Sequence, residues 1–439
     1  MERIAMDGGV VVEVIIVGAG IGGLALANGL VADGHRVRVL ERAPGPRTDG
    51  AAVTIFSNGA AAAADLGVPL DGLGGDVETL EFHTPQGRPF GRADLRVMRR
   101  RTGYGVATVP RAAILDRFTG ALPPGTVRYG CAVSDLRVVT GGVTVTGLAR
   151  PAPAGDAPTR DAPAGDTPTR DAPTRDADGG DAPTRHPDGG DAPTGDAPTG
   201  NVLTGDVLVG ADGYRSAVRR VVLDPAPASR NGWVSWQGLT MALPGLAGGV
   251  TARCLVGPAG LCGLMPAGGG LLQWWFDVPV PAPADRPVLE WLRGRFASYA
   301  EPVGELLAGL AESDVQAYPH VLHQVPTRWG TGPSTLLGDA AHAFPPSQAQ
   351  GANQALEDAW LLRRALRTPG DPVTALRRYE RIRSRRVRRI SRLAASEITN
   401  APPAAPARLA GRLLPPALTG RLHLGTIRRC SSVLNDDRV

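Results

Sequence analysis

Gly18, Gly20 and Gly23 stand in the order G-x-G-x-x-G, after the apolar run Val10 to Val17 and at the start of a helix-forming stretch, Ile21 to Asp33. The chemistry of such a spot is anion binding. Gly18 permits a tight turn, Gly20 lets the backbone close on a pyrophosphate, and Gly23 lets helix meet sheet. The free N–H groups and positive end of the helix then face the phosphates. Glu41, 23 residues after Gly18, ends the next predicted strand, Arg36 to Glu41. A carboxylate there accepts hydrogen bonds from ribose hydroxyls and disfavours a 2′-phosphate. These residues predict a dinucleotide site and leave NAD and FAD both open.

Two further segments place an aspartate where a strand turns into a helix. One is Val209-Gly210-Ala211-Asp212-Gly213, the other Leu336-Leu337-Gly338-Asp339-Ala340. The second runs on through Pro346 and Ala349 to Gly351-Ala352-Asn353, where another helix begins. Only one G-x-G-x-x-G follows a strand, so no second dinucleotide domain is expected. The four cysteines form no C-x-x-C and have no metal-ligand spacing, which excludes a dithiol redox centre and leaves buried structural thiols. All 47 cationic residues are arginine, so Schiff bases and a P-loop lysine are excluded as well. The net charge of +5 is uneven: residues 151–200 hold ten Asp and four Arg, leaving an excess of cations elsewhere. That is a weak signal for an acidic partner.

The elements that must position these residues read as an α/β chain, and 439 residues suit two domains. Between Gly232 and Pro279, short β-rich runs separated by Gly and Pro predict an antiparallel sheet. On the run Leu272 to Phe276, Gln273 and Trp275 share one face, and Leu272, Trp274 and Phe276 the other. Helices are expected from Gln350 to about Ala365 and from Thr374 to about Ser396. Residues 151–200 repeat a GDAPTRD-like unit with almost no large apolar side chains, which predicts a disordered insertion. It is expected to replace the tip of a hairpin formed by Val143 to Thr146 and Asp206 to Gly210, where added length costs little. The start of the chain shows no signal-peptide pattern and no apolar run approaches a membrane span, so a cytoplasmic protein is expected.

With these motifs in order, the sequence resembles the group A FAD-dependent monooxygenases, the p-hydroxybenzoate and salicylate hydroxylase family. The resemblance covers most of the chain outside 151–200 and the C-terminal tail. It implies a Rossmann-like FAD-binding domain with an inserted antiparallel-sheet substrate domain and C-terminal helices. The FAD-binding domain would comprise residues 10–75 and 103–222, the substrate domain 76–102 and 223–330. Residues 331–400 would return to the FAD-binding domain, and 401–439 would form a helical tail packed outside. By the same resemblance Glu41-Arg42 is the family's acidic-basic pair, and Arg111, in Val109-Pro110-Arg111, its flavin-contacting arginine. Asp339 would bond the ribityl chain and Asp212 would lie near the pyrophosphate. Thr54 and Val133 complete the implied FAD contacts. Gly351, Ala352 and Asn353 would open a helix whose N–H groups face the flavin's N1–C2=O edge, stabilising the reduced anion. Pro346 resembles the proline beside the flavin's reactive carbon, where it offers no N–H. Ala349 departs from the family, many members of which have glycine there.

The family reaction takes hydride from NADH or NADPH to FAD, adds O₂ at the flavin C4a, and transfers one oxygen to an aromatic carbon through a C4a-hydroperoxide. Other flavin oxidations on the same fold, such as epoxidation or oxidative decarboxylation, and a reducing role are the alternative. A flavin-binding regulatory or nucleic-acid-binding protein without turnover is a third reading. Halogenation is disfavoured by the absence of lysine. The resemblance places Gln237, Leu261 and Gln273 in the substrate pocket. Trp233 to Thr240, Leu261 to Pro266 and Leu271 to Asp277 contain no Arg or His, so the expected substrate is a neutral, natural-product-like aromatic rather than a small aromatic acid. No general base is assigned. His320, His323 and His342 read as structural. Nine arginines lie between Arg377 and Arg392, but Leu376, Tyr379, Ile382, Val387, Ile390 and Leu393 give that helix an apolar stripe. It therefore reads as a packed helix with a solvated face, so the expected partners are a small aromatic substrate and O₂, with no nucleic acid and no membrane span, in a monomer or homodimer.

Overall fold

In the computed structural model, residues 11–46, 51–139, 142–149, 201–241, 243–280 and 286–438 are described. The repetitive segment 151–200 and the first ten residues lie outside them, as do the expectations placed there.

The apolar runs on either side of the glycine loop become the centre of a five-stranded parallel sheet. Its order is β18(Ser334–Leu336), β12(Val207–Gly210), β1(Glu13–Val17), β2(Arg36–Leu40) and β8(Val127–Arg128). Val14 to Ile16 are fully buried because the sheet is covered on both faces, as parallel sheets require. Helix α1(Ile21–Ala32) crosses between β1 and β2 and is apolar nearly all round. The reason is α10(Gly351–Arg367), which lies against its outer side: a Cβ at Gly22 would press on Leu337 and Ala355. Two small three-stranded sheets flank this core. One pairs β3(Ala52–Ile55) and β4(Gly75–Asp76) with β7(Ala107–Pro110). The other contains β9(Cys131–Val139), β10(Gly142–Ala149) and β11(Asn201–Gly205).

The pairing in that last sheet corrects one expectation. Residues 143–146 pair with 202–205 of β11, not with 206–210. The latter form β12, which instead joins β1 in parallel. The apolar quartet Val207 to Gly210 is buried, which suits a central parallel strand rather than one arm of a surface hairpin.

The seven-stranded sheet has the order β17(Gln316–Leu322), β13(Ser229–Thr240), β16(Leu271–Pro279), β15(Gly260–Gly268), β14(Thr251–Gly257), β5(Thr79–His83) and β6(Pro89–Asp94). It is antiparallel except for β5 and β14, which run parallel because β5 enters from an earlier part of the chain. The period-two alternation holds along β16. Leu272, Trp274, Phe276 and Val278 face a core closed by α7(Val288–Arg295) and α8(Val303–Gly309). Trp275 and Leu261 face the other way, toward Phe56 and Met265.

Shorter helices join the two sheets: α2(Ser57–Asp65), α3(Arg96–Thr102), α4(Arg111–Gly120), α5(Ala217–Val222), α6(Pro244–Ala247) and α9(Asp339–His342). The long arginine-rich helix is α11(Pro372–Ala395), capped by the Asp371 carboxylate, which accepts from Val373 and Thr374 N–H. The tail forms α12(Ala405–Leu413) and α13(Pro416–Cys430). It is more than an outer layer. Leu424, Ile427 and Cys430 are buried, and the Ser432 N–H donates to the buried Glu357 carboxylate.

The arginines of α11 also divide. Arg383 is fully buried, donating to Asp358 at 2.7 Å, Glu357 at 3.1 Å and the Gln354 side chain at 2.7 Å. Burial opposes its charge, but Asp358 and Glu357 more than restore it, so its pKa is raised. Asp358 is held below its ordinary value by His342 and Arg383 despite its burial. Arg383 therefore lies on the packed side of α11 and not on its solvated face. Cys254, Cys262 and Cys430 are buried free thiols, and burial, with help from Asp277, pushes Cys254 up to about 12.

Candidate functional site

The site grows from the ends of the parallel strands. Gly18 has φ +106° and its N–H donates to the Leu40 carbonyl at 2.8 Å. A Cβ at Gly18 would overlap the Ala211 carbonyl, and one at Gly23 would overlap the Gly18 carbonyl. At Gly20 the nearest atom to such a Cβ is 3.9 Å away, so the backbone there lies open for close approach of a ligand. Glu41 does more than wait for a ribose. Its carboxylate accepts from Ala19 N–H at 2.8 Å and from Ala43 N–H at 2.9 Å, pinning the glycine loop to the end of β2.

Asp339 is the first residue of α9, delivered by Gly338 at φ +56°. Burial raises its pKa, with His342 and Arg111 pulling the other way. No hydrogen bond to its carboxylate exists among the described residues. Arg111 opens α4 directly after β7, and its buried Nε also lacks a partner. Tyr318 on β17 joins this group. Its phenol is raised by the Asp339 charge first and by burial second, with Arg111 opposing and Tyr214 adding. Asp339, Arg111 and Tyr318 are each half-buried, and the buried Nε of Arg111 is costly unless something polar meets it.

The loop from Pro346 leads into α10. Pro346 starts a single 3₁₀ turn, and Ala349 takes φ 48° and ψ 34°, the left-handed conformation in which a Cβ costs energy. The first backbone bond of α10 is Gln354 N–H to Gln350 C=O at 2.8 Å. The amides of Gly351, Ala352 and Asn353 precede it and form a helix N-terminus able to receive an anion.

The side chains of two expected cofactor residues, Asn353 and Asp212, are engaged within the protein, and that of a third, Arg42, is exposed. The Asn353 side chain is consumed within the protein: it accepts from Phe56 N–H at 2.8 Å and donates to the Thr54 and Ala349 carbonyls, each at 2.9 Å. It thus fixes β3 to the N-terminus of α10, and only its backbone faces outward. The Asp212 carboxylate accepts from Ser216 Oγ at 2.5 Å and Ala217 N–H at 2.6 Å, shaping the turn into α5. Its backbone packs beside Gly18. Arg42 is exposed and no hydrogen bond or ion pair joins it to the cluster. Val133 packs, half-buried, against the core of the parallel sheet. Thr54 is buried on β3, and its hydroxyl points to the Met265 sulfur at 3.4 Å.

On the seven-stranded sheet, Gln237, Leu261 and Gln273 share the face turned toward the parallel-sheet half. Gln273 Nε2 donates to the Ala52 carbonyl at 2.9 Å, while its Oε1 is buried without a partner. Leu261 lies among Met265, Trp275 and Phe56. Opposite them α13 brings His423, stacked on Phe56 at 5.4 Å and 22°. Burial pushes His423 down to about 4, so it is neutral at pH 7. Neither Tyr318 nor His423 follows from a motif, although Tyr318 shares a strand face with His320, which the alternation makes visible.

His320 is a charged junction. Its Nε2 lies 2.8 Å from Ser235 Oγ, its Nδ1 2.7 Å from Glu397 Oε1, and Ser235 Oγ also donates to Asp277. Burial would depress its pKa, yet Asp277 and Glu397 outweigh that and raise it to about 9. Glu397 also accepts from Asn231 at 2.8 Å and Asn400 at 2.9 Å. His323 and His342 are structural: His323 Nε2 is 2.9 Å from the Tyr214 carbonyl, and His342 Nε2 is 2.6 Å from Asp358.

Comparison with known proteins gives the following. The FAD binding domain family matches residues 176–394, and the NAD(P)-binding Rossmann-like domain family matches 16–68. An FAD-dependent urate hydroxylase of Klebsiella pneumoniae is 32% identical over 386 residues, spanning 86% of this chain and 87% of its own. The aurachin C monooxygenase/isomerase of Stigmatella aurantiaca is 29% identical over 378 residues, 85% of each chain. The crystal structure of Klebsiella pneumoniae HpxO complexed with FAD and uric acid superposes with a TM-score of 0.78 at 26% identity, covering 95% of this chain and 97% of that one.

Proposed function

Because the chain belongs to the group A FAD-dependent monooxygenases, we propose that it uses NADH or NADPH and O₂ to hydroxylate a neutral, largely apolar aromatic or heteroaromatic substrate. FAD fits the residues present. Asp339 is a half-buried carboxylate without a hydrogen bond among the described residues, an acceptor that ribityl hydroxyls would satisfy. Gly18, Gly20 and Gly23 with the start of α1 would hold the pyrophosphate, and Glu41 has acceptor capacity left for the adenosine ribose. The amides of Gly351 and Ala352 would meet the flavin's pyrimidine edge. Bound there, FAD supplies the redox chemistry: it accepts hydride from the nicotinamide and delivers one atom of O₂.

The chain's own groups do the rest. Residues 76–102 and 223–330 carry the substrate, and 10–75, 103–222 and 331–400 carry FAD. Pro346 presents no N–H near the reacting edge. Leu261, Met265, Trp275 and Phe56 exclude water, which strengthens every remaining polar contact. Gln237 and the free Oε1 of Gln273 orient the substrate, and Tyr318, with its pKa raised, remains a phenol able to donate.

The observation that carries the substrate class is the charge of that sheet face. Its one imidazolium, His320, is already engaged by Asp277 and Glu397, so nothing cationic on it is left for a carboxylate substrate. The test is NAD(P)H oxidation in O₂ with neutral phenols and with salicylate or 4-hydroxybenzoate. Stimulation and a +16 product with neutral phenols are expected. Efficient turnover of the small acids would refute the substrate class, and FAD retention unchanged in Asp339→Ala would refute the cofactor assignment.

A further inference from the structure

Helices α12 and α13 lie on β6 through glycine. A Cβ at Gly411 would overlap the Phe90 carbonyl, and one at Gly420 would overlap the Asp94 carbonyl. At 100° per residue, positions two before and two after a glycine point almost directly away from the surface it touches. Those positions are Leu409 and Leu413 on α12 and Leu418 and Leu422 on α13. With Leu414 between the helices, all five are between 38% and 75% exposed. No residue of α12 is buried. Large apolar side chains grouped in this way mark an interaction surface.

The charge around the leucines says what that surface meets. Residues 401–435 contain five arginines, Arg408, Arg412, Arg421, Arg428 and Arg429, and no Asp or Glu. All five are exposed. A second copy docked through the same patch would set arginines against arginines, since a two-fold interface pairs a surface with itself. The acidic segment 151–200 could meet the arginines, but it has almost no large apolar side chains to cover the leucines. A surface that offers anionic phosphates and an apolar interior satisfies both halves of the patch, and guanidinium groups bind phosphate bidentately.

We propose that the leucine face of α12 and α13, rimmed by Arg408, Arg412 and Arg421, is a peripheral docking surface for anionic lipid bilayers. The protein lies on the bilayer rather than in it; no helix among the described residues is long and apolar enough to cross. This holds whatever the substrate of the enzyme is.

The test is co-sedimentation of the full-length, FAD-loaded protein with vesicles of phosphatidylglycerol and phosphatidylcholine, against phosphatidylcholine alone, with the mass in solution read by light scattering. Binding to the anionic vesicles that weakens with salt is expected. Leu413→Glu with Leu422→Glu should weaken it more than about tenfold by removing inserted apolar area. Arg408→Gln with Arg421→Gln should weaken it roughly 25-fold, from about fivefold per arginine near a charged surface. Retained flavin absorbance in both variants shows that they fold. A monomer that ignores anionic vesicles would overturn the proposal. A dimer that becomes monomeric in Leu413→Glu/Leu422→Glu would overturn it too, assigning the patch to a second copy.

Discussion

Raising the pH should loosen this protein through His320, and replacing His320 should remove that loss. The folded-state pKa of about 9 exceeds the 6.5 of a free imidazole, so the proton binds more tightly in the folded chain. A group raised in this way contributes its stability in full below pH 6.5 and loses it as pH rises through 9. A shift of roughly 2.5 pH units at about 1.36 kcal/mol each gives on the order of 3 kcal/mol. His320 is wholly buried, so solvent screening does not reduce that figure. The loss has a structural form: once neutral, His320 leaves Asp277 and Glu397 buried without their cation, and the turn at Glu397 loosens from the sheet at His320. The assay is urea unfolding of wild type and His320→Gln at pH 6.5, 8 and 9.5, followed by tryptophan fluorescence. Wild type should fall by about 3 kcal/mol across that range, while His320→Gln starts lower and stays nearly flat. Parallel curves for the two proteins would show that the Asp277–His320–Glu397 charges do not act as described.

Two further substitutions probe the frame around the flavin site. Arg383→Leu leaves Glu357 and Asp358 buried without their cation and should cost about 3–5 kcal/mol in urea unfolding at pH 8. Burial already raises Glu357, so the loss should shrink toward pH 5, where protonation replaces the missing charge. Ala349→Gly removes a Cβ from a left-handed residue; after the extra chain entropy of glycine, a gain of roughly 0.5–1 kcal/mol is expected by thermal or urea unfolding.

The parts of the fold that could be read in advance are those in which backbone geometry leaves little choice. Gly18 and Gly23 have no room for a side chain, so the phosphate loop is written directly into residue types. The alternation along β16 separates Gln273 and Trp275 from Trp274 and Phe276 because a strand has a fixed period of two. Arg383 shows how a signal can be present and still be overlooked. The buried positions 376, 379, 383, 387, 390 and 394 recur at steps of three and four, so Arg383 lies within the apolar stripe of α11, among eight other arginines that hide it. Asn353 and Asp212 sit where a family motif puts them, yet motifs do not reveal whether a side chain is spent on the protein itself. The pairing of β10 with β11 is set by the partner that β12 finds in β1, a choice between distant segments that local pattern does not contain. The same holds for α13, whose contact with Phe56 depends on the return of the last 40 or so residues across β6.

Gly147 and Asn201 face each other across the ladder that joins β10 to β11, so the two ends of the long acidic stretch are already clamped side by side. Because closure is enforced by the strands, doubling or halving the number of residues between them alters the free energy of folding by only about 0.6 kcal/mol. That junction is a natural splice point: a short turn, a fluorescent domain or an affinity peptide inserted there would ride on the enzyme without disturbing the glycine loop or the paired sheets.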